Sequence, residues 1–526
     1  MHTRIHWPGL SMLLGLTLTL AACSGGTTPG TVVPGSLRLL NTDAVPDNGR
    51  LVFSRIGGLA SPPAGQVHDR VVLRVQNTGP QAVHLTGLSV SGPWTVSPAP
   101  ATGAPLTVAA GGQLDLTVRF VAEGPGPADG PLHEGSLTVV GDDSSRTTVQ
   151  LAGLWQAQPE HGQEPNLDLI RRAFGYRFNV VNPGTPVGDA QGIPALNHHG
   201  AVIPDGDEVI SPYWQRLDSS KPVTVTPLAA YHTPGQPVTL SWYSKGSAAV
   251  QLALTQAAPA SQTLLPAAGA SFTPGETFGF RVNDGEWSDP TLNAHATDLQ
   301  AGCSEPCGQH LRFWPLRDAA GKLIAGSYVL AASTQAGSYD YNDSVYLIGN
   351  LKPAPVLLNV GGPTFTAPDG RVWTGDSYLT TDQSGAARTA TFYTPADAPS
   401  WPKTPSTATI LKTDNQQLYR TYRHNTLDTP LESRVMTYTV PLNDGIYRVR
   451  LHFAELNWNA PGKRLFNVNV EGVPVLNNFD IWKEAGGQNT ALVVPLDAVK
   501  VTGGQLTVQL KATVDFPDLS GIEVER

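Results

Sequence analysis

Cys303 and Cys307 are separated by three residues, and His310 follows close behind them. In an exported protein, two thiols this close in the chain are expected to pair as a disulfide. Zinc is the alternative, but a structural zinc site needs four well-spaced ligands and only these three residues lie near each other in sequence. The spacing therefore favours a disulfide over a metal site.

An acidic segment around residue 340 could bind calcium through Asp340, Asn342 and Asp343. Calcium takes several oxygen ligands from carboxylates, amides and backbone carbonyls, and these side chains could supply three of them. A structural Asx turn before the next strand explains the same residues without any ion. We expect the turn, keep structural calcium as the alternative, and predict no other cofactor.

Motifs of the common catalytic centres do not occur in the sequence. It contains no G-x-S-x-G elbow, no H-E-x-x-H and no G-x-x-x-x-G-K-[ST] loop. Asp480 and Asp515 could be considered as a glycosidase pair, but such a pair is defined by a separation that a sequence does not give. We expect that the protein is not an enzyme.

The N-terminus is typical of an exported protein. Arg4 precedes an apolar run from Leu10 to Leu20, which is too short to span a bilayer and ends in Ala-Ala-Cys. This pattern resembles the lipobox of bacterial lipoproteins, which implies that residues 1–22 are a signal peptide and that Cys23 is acylated. We therefore expect a protein of the cell envelope, at the outer membrane or cell surface, attached to the membrane by a lipid anchor. Residues 23–36, rich in Gly, Thr and Pro, are then a flexible tether.

Composition indicates several β-rich domains. The chain has 526 residues, of which only 15% are charged, with 54 Gly and 45 Pro. This length exceeds what one hydrophobic core supports, and the balance suits short strands joined by turns. The net charge of -9 and the scattered Lys and Arg argue against a nucleic-acid partner.

Alternation of apolar and polar residues predicts an all-β fold of tandem β-sandwich modules. Residues 37–155 show period-two strands with turns about ten residues apart, as in "VVLRVQNTG" and "LDLTVRF". Their order resembles immunoglobulin-like domains of the abnormal-spindle and hydin type, which implies a spacer. Residues 156–166 look like a linker, and residues 167–352 form a β-rich domain that resembles no family strongly.

Residues 353–526 carry six separated motifs: "NVGG", "LYRTYR", "YRVRLHFAE", "RLFNVNVEG", "NFDI" and "SGIEV". Read from the residues alone, they are alternating strands of a two-sheet sandwich with Gly and Asn at the turns. Their order resembles the malectin family. The resemblance implies a jelly-roll sandwich that binds carbohydrate of the glucose type through loops at one end.

The resemblance also implies which residues bind the sugar. An aromatic ring covers the apolar face of a pyranose, and charged or amide groups bind its hydroxyls. The positions that match the family's site are Trp373, His424, Asn457, Trp458 and Asp515. His424 stands where relatives often have Tyr, and Asn457 replaces an aromatic residue, which leaves the specificity for disaccharides open.

Three functions remain, of which a glycoside hydrolase is the third and would be revealed by turnover of the glycans that bind. The first is a surface-anchored protein that binds a glucose-type oligosaccharide or polysaccharide. The second is a structural or adhesive envelope protein whose malectin-like fold does not bind sugar. Binding to a polysaccharide array separates the first two.

Overall fold

A computed structural model describes most of the chain after the tether. The described residues are 36–57, 65–101, 103–126, 130–160, 163–182, 184–188, 192–193, 196, 198–304, 306–334, 338–376, 379–381, 406–423 and 430–526. The predicted lipidation site Cys23 and the predicted sugar-binding residue His424 lie outside these residues.

The first module is a sandwich of two sheets. Its strands are β1 Leu37–Asn41, β2 Arg50–Ile56, β3 Arg70–Asn77, β4 Val83–Ser91, β5 Trp94–Ser97, β6 Leu106–Val108, β7 Gln113–Phe120, β8 Leu132–Gly141 and β9 Arg146–Gln156. One sheet has the order β1-β3-β7-β5 and the other β2-β9-β8-β4-β6. Alternate side chains of β3 and β7 point into a shared core that includes Leu73, Val75, Leu116, Val118 and Phe120. The period-two pattern of the sequence corresponds to these buried faces.

The middle block has twelve strands and two helices in its described part. They are α1 Leu167–Phe174, β10 Trp214–Arg216, β11 Val223–Tyr231, β12 Val238–Ser244, β13 Val250–Gln256, β14 Gln262–Leu264, β15 Ala270–Phe272, β16 Phe278–Val282, β17 Glu286–Trp287, α2 Ala296–Ala301, β18 Leu311–Arg317, β19 Leu323–Ala332, β20 Ser344–Gly349 and β21 Leu351–Pro353. The two main sheets have the orders β13-β12-β16-β10-β21 and β14-β11-β20-β19-β18.

Helix α1 joins the first module to the middle block. Asn166 caps its first turn by accepting a hydrogen bond from the amide of Leu169, and Gly175 ends it with a φ of 75°. The helix packs its apolar face into a core that also contains residues of β2 and β9, among them Val52 and Leu154. In the segment 156–166, Gln156 and Asn166 are buried and hydrogen-bonded, whereas Ala157 and Gln158 are exposed. The linker role of residues 156–166 stays a prediction.

The C-terminal module is a second sandwich. Its elements are β22 Val356–Asn359, β23 Phe365–Thr366, β24 Val372–Trp373, β25 Leu379–Thr381, β26 Val435–Pro441, β27 Gly445–Ala454, β28 Leu465–Val470, β29 Val473–Phe479, α3 Ile481–Ala485, β30 Ala491–Val501, β31 Gln505–Val514 and β32 Gly521–Glu525. The sheets β22-β32-β27-β30 and β25-β26-β31-β28-β29 enclose one core. The expected all-β fold class with stacked sheets is confirmed.

Asn443, between β26 and β27, connects the C-terminal module to the middle block. Its Oδ1 accepts a 2.8 Å hydrogen bond from the amide of Ile210, and its Nδ2 donates to the carbonyl of Glu208. In the described part of the chain, no helix is both long enough and apolar enough to cross a bilayer.

Candidate functional site

Trp458 and Asp515 meet at one end of the C-terminal sandwich. Trp458 lies in the loop after β27, and Asp515 lies in the turn between β31 and β32. The indole Nε1 donates a 2.8 Å hydrogen bond to Oδ2 of Asp515, and the tryptophan is 38% exposed. The sequence prediction placed both residues in one site, and the structure brings them together.

Asp515 adopts a backbone conformation that few residues other than glycine take. Its φ is 61°, and its carbonyl oxygen accepts a 2.7 Å hydrogen bond from Nη1 of Arg434. The guanidinium of Arg434 also stacks 3.9 Å from the centre of the Phe516 ring. Strained backbone held in place by its surroundings is common at binding sites. Arg434 thus fixes the turn that presents the carboxylate.

Glu455 braces the loop that carries Asn457 and Trp458. Its Oε1 accepts hydrogen bonds from the amide of Asn457 at 2.9 Å and from the amide of Trp458 at 3.0 Å. Its Oε2 accepts a 2.7 Å bond from Nε of Arg464, and both side chains are buried. Glu455 therefore holds the loop rather than facing a ligand.

Arg464 ties this loop to the turn that carries Asp515. Besides Glu455, it donates to the carbonyl of Phe516 at 3.1 Å and lies 3.5 Å from Oδ2 of Asp515. Burial alone would lower the pKa of Arg464, but the carboxyl groups of Asp518 and Glu455 outweigh it and raise that pKa above its usual value. One guanidinium thus organises both loops.

Asp518 is a fully buried carboxyl group under the site. Its exposed fraction is 0%, and within the described residues neither of its oxygens has a hydrogen-bond partner, although Nη2 of Arg464 lies 3.8 Å away. Burial raises the pKa of Asp518 well above its usual value, against the opposing charge of Arg464. The carboxyl groups of Asp518, Glu455 and Asp515 thus surround the guanidinium of Arg464.

Asn457 points to a third segment of the chain. Its Nδ2 donates a 2.7 Å hydrogen bond to the hydroxyl of Tyr422, which is buried. The neighbouring Arg423 pairs through its amide with the carbonyl of Leu519 and through its side chain with Asp376. The segments around 422, 457 and 515 thus converge, although they are far apart in sequence.

Trp373 is the predicted binding residue that the structure places elsewhere. Its exposed fraction is 1%, and its ring packs edge-on at 5.2 Å from the ring of His452, within an apolar cluster that includes Leu418 and Tyr419. In this conformation the indole offers no face to a ligand. This corrects the prediction that Trp373 binds sugar. The Gly and Asp residues around it suggest an exposed loop, but strand β24 pairs with β23 and packs the tryptophan inward.

Sequence reasoning missed most of the residues that hold this site together. Arg464, Arg434, Asp518 and Tyr422 are not among the residues predicted from the sequence. No local feature of the sequence separates Arg464 from an arginine on the surface.

The two cysteines of the middle block form a disulfide in the structure, with a Cα–Cα distance of 6.2 Å. The nearby His310, considered above as a zinc ligand, instead contacts Glu286 through Nδ1 and Asp298 through Nε2, the latter at 3.0 Å. Across the described ranges, no three His, Cys, Asp or Glu side chains are placed so that they could hold a metal ion.

The acidic segment considered for calcium forms a hydrogen-bonded turn. Oδ2 of Asp343 accepts from the amide of Thr334 at 2.5 Å, and Nδ2 of Asn342 donates to the carbonyl of Pro165 at 3.1 Å. Oδ1 of Asp340 accepts from the hydroxyl of Ser338 at 3.4 Å. Calcium binding by Asp340, Asn342 and Asp343 stays a prediction from sequence.

A family model described as "Malectin domain" matches residues 356–518. Asn457, Trp458 and Asp515 lie within the matched residues. The malectin resemblance is therefore confirmed for this third of the chain.

Two curated relatives are plant receptor kinases. A probable LRR receptor-like serine/threonine-protein kinase of Arabidopsis thaliana is 33% identical over 82 residues, which are 14% of this chain and 8% of the kinase. The kinase RFK1 of the same plant is 37% identical over 86 residues, again 14% of this chain and 8% of the kinase. The chain thus spans less than a tenth of the length of these relatives.

Among solved structures, the extracellular domain of ANXUR1 from Arabidopsis thaliana is similar to this chain. The sequence identity is 14%, the match covers 60% of this chain and 81% of that one, and the TM-score is 0.28. A likeness of this size has no bearing on the function of the chain.

Proposed function

We propose that this chain is an exported, lipid-anchored protein that binds carbohydrate through its C-terminal module. The observation that carries the proposal is the contact between the partly exposed indole of Trp458 and the carboxylate of Asp515. An aromatic face beside an acceptor is the combination that a pyranose needs for stacking and for hydrogen bonding of its hydroxyls. The match of residues 356–518 to the Malectin domain supports the same role.

The geometry leaves part of both side chains available to a ligand. The hydrogen bond from Nε1 uses Oδ2 of Asp515, and within the described residues no hydrogen bond reaches Oδ1. A sugar hydroxyl can therefore donate to Oδ1 while the ring lies on the indole. Because Glu455 and Arg464 hold both loops, little ordering is needed on binding.

The test is a polysaccharide and oligosaccharide array with the mature chain, followed by titration of the glycans that bind. We expect glucose-type glycans to bind, and we expect Trp458→Ala and Asp515→Asn each to weaken binding roughly fivefold or more.

Ile446→Ala and Asp497→Asn are matched controls. Ile446 is an exposed apolar residue at the opposite end of β27, and Asp497 is an exposed carboxylate on β30. Both variants should bind like the wild type. An array without any bound glycan, or full affinity in both site variants, would remove the proposal.

Anchoring is proposed from the lipobox around Cys23. Cys23→Ala should release the protein from membranes into the soluble fraction. Detergent partitioning that is the same for variant and wild type would contradict an acylated Cys23.

The second candidate is a structural or adhesive envelope protein that does not bind sugar. The burial of Trp373 and Tyr422 favours it, because these side chains would otherwise enlarge the aromatic surface. The array separates the two candidates directly. We propose no catalytic activity for either, and turnover of a bound glycan would contradict this.

A further inference from the structure

The outer face of the sheet β1-β3-β7-β5 in the first module carries four arginine side chains. Successive side chains of a strand lie on opposite faces of its sheet, so every second residue points away from the core. On β1, β3 and β7 these outward positions include Arg38, Arg70, Arg74 and Arg119. We call the outward face of this sheet the arginine face.

Two of these arginines stand directly opposite each other. Arg70 on β3 and Arg119 on β7 are cross-strand partners, a placement that destabilises a sheet when both residues carry the same charge. Asp69, just before β3, lies 3.6 Å from Nε of Arg70 and 3.4 Å from Nε of Arg119. It also lies 3.4 Å from Nη1 of Arg55. One carboxylate thus serves three guanidinium groups, which leaves an excess of positive charge.

The other two arginines of the face differ in their partners. Arg74 is neutralised by Asp115 on β7, with an Nε–Oδ1 distance of 2.8 Å and an Nη2–Oδ2 distance of 3.0 Å. Arg38 is exposed, and within the described residues its side chain forms no ion pair or hydrogen bond. Four arginines against Asp69 and Asp115 leave two positive charges on this face.

This positive face belongs to a chain whose net charge is -9. The other described carboxylates of the first module lie in turns, in connecting segments or on β8 of the second sheet; they are Asp43, Asp47, Glu123, Glu134, Asp142 and Asp143. The arginines are scattered in sequence, and the fold brings them together. Charge segregated in this way attracts a partner of the opposite sign.

The middle block leaves the arginine face uncovered. Helix α1 and strand β14 contact the first module through β2 and β9, which belong to its second sheet. In the part of the chain that the structure describes, Arg38, Arg70 and Arg119 are exposed. The face is therefore open to a partner from outside the chain.

The predicted tether leads directly into this sheet. Strand β1 is one of its edges and begins one residue after the tether 23–36. A flexible segment of these fourteen residues has a root-mean-square length of about 20 Å. A lipid on Cys23 would therefore keep the arginine face close enough to the bilayer to touch its surface.

We propose that the arginine face binds the anionic phospholipid headgroups of the membrane that holds the lipid anchor. The inference rests on the proposed acylation of Cys23 and adds an orientation to it. The sheet β1-β3-β7-β5 lies on the bilayer, and the second sheet, with the middle block behind it, points away. Guanidinium groups suit this role because they bind phosphate through paired hydrogen bonds.

A surface with many phosphates fits the face better than one small anion. Arg38 on β1 and Arg119 on β7 are separated by β3, so their strands lie about 10 Å apart. A single phosphate does not bridge that distance, whereas neighbouring headgroups contact both residues.

The face orients the chain and the lipid retains it. An arginine near an anionic bilayer contributes about fivefold in partition. Two excess charges therefore do not hold the chain on a membrane at physiological salt, and release of Cys23→Ala remains the expected result there.

The test uses the mature chain with Cys23→Ala, which carries no acyl group, at low ionic strength, where screening is weak. The probes are vesicles that contain phosphatidylglycerol and vesicles of phosphatidylcholine alone. We expect binding to the anionic vesicles only, and we expect added salt to reverse it. In this background, Arg38→Gln and Arg119→Gln should each lower the partition about fivefold. Because Arg38 has no partner in the described residues, its replacement breaks no ion pair of the fold.

Arg146→Gln is the matched control. Arg146 is an exposed arginine at the start of β9 on the second sheet, so its replacement changes the net charge equally but lies off the face. It should leave the partition unchanged.

The orientation is measured with the acylated chain. Cys303 and Cys307 are paired, so Thr117→Cys on the arginine face and Gln150→Cys on β9 each supply a single thiol for a fluorescent label. Energy transfer to acceptors on the headgroups of anionic vesicles should be stronger from position 117 than from position 150.

Three outcomes would overturn the arginine face. They are equal partition of the Arg38→Gln and Arg119→Gln variants and their parent, equal binding to neutral and anionic vesicles, and binding to an acidic polysaccharide without binding to anionic vesicles. The last would assign the face to a glycan. Failure of the anchor is a separate result: a wild-type chain without an acyl group, whose Cys23→Ala form still binds anionic vesicles, would remove the anchor and keep the face.

Discussion

The indole nitrogen of Trp458 and the carboxylate of Asp515 are joined by a 2.8 Å hydrogen bond across 57 positions of sequence. This bond orients the exposed ring and leaves one carboxylate oxygen for a ligand. The fixed orientation removes rotamer freedom that binding would otherwise have to restrict.

Trp458→Phe should separate stacking from orientation. Phenylalanine keeps an aromatic face but cannot donate to Asp515, so we expect a loss of glycan affinity of about two- to fivefold, smaller than that of Trp458→Ala. Titration of the same glycan with wild type and both variants is the measurement. A loss in Trp458→Phe as large as in Trp458→Ala would mean that the indole N–H, rather than the ring face, contributes most.

Arg464→Lys should weaken glycan binding, because it loosens the two loops that carry Trp458 and Asp515. Lysine keeps the charge but cannot bond Glu455 and the carbonyl of Phe516 together, so the two loops lose their common brace. We expect about a tenfold loss of glycan affinity, measured by titration. Strand β28 and the core should stay intact, which circular dichroism checks. Arg448→Lys, in an exposed pair with Asp497, is the control and should change neither quantity. Unchanged affinity in Arg464→Lys would show that the loops keep their positions without the guanidinium.

The sequence predicts the fold class well because alternation and turn residues are local signals. It also predicts Asn457, Trp458 and Asp515 as neighbours, although only through the family resemblance. It fails at Trp373, because a two-residue strand such as β24 is too short to show which way its side chains point.

Long-range polar contacts cannot be predicted from local sequence patterns. Nothing local distinguishes Arg464, which holds two loops, from Arg448, which lies on the surface. In the same way, nothing local in the polar segment 156–166 predicts its hydrogen bonds to Gln262, about a hundred residues away.

The middle block should become less stable in alkaline solution, because His310 loses its proton there. Burial would lower its pKa, but hydrogen bonds to Asp298 and Glu286 outweigh it and raise the pKa to about 9. The stabilisation is complete below the ordinary value of 6.5 and is lost as the pH rises through about 9. A shift of this size corresponds to about 3 kcal/mol.

His310→Gln should remove this dependence. Hydrogen exchange of the Ser333 amide, which donates to the carbonyl of His310 at 3.1 Å, reports on the site itself. We expect protection in the wild type to fall between about pH 6.5 and 9 and to stay level in the variant. Parallel curves would contradict a charged imidazole held by the two carboxylates.

Glu523 should stabilise the C-terminal module against acid. It is buried on β32 and contacts Arg371 and Arg450, with Nη1–Oε1 distances of 2.7 and 2.9 Å, and His452 lies beside it. Burial would raise its pKa, but His452 and the two arginines outweigh burial and lower the pKa to about 2. The stabilisation is therefore present above the ordinary value of 4.5 and is lost as the pH falls through about 2.

Glu523→Gln removes the charge and keeps the shape. At neutral pH we expect it to lower the free energy of unfolding of this module by about 3 kcal/mol, the equivalent of the pKa shift. Denaturant unfolding from pH 7 down to the acid limit, followed by the exchange of β27 and β32 amides, measures the effect. Glu525→Gln is the matched control, because Glu525 contacts the same Arg450 at 3.2 Å but is more exposed. A pair that is more exposed contributes less, so this variant should lose under 1 kcal/mol. Equal losses in the two variants would mean that the net charge of the strand, rather than the buried cluster around Glu523, resists acid.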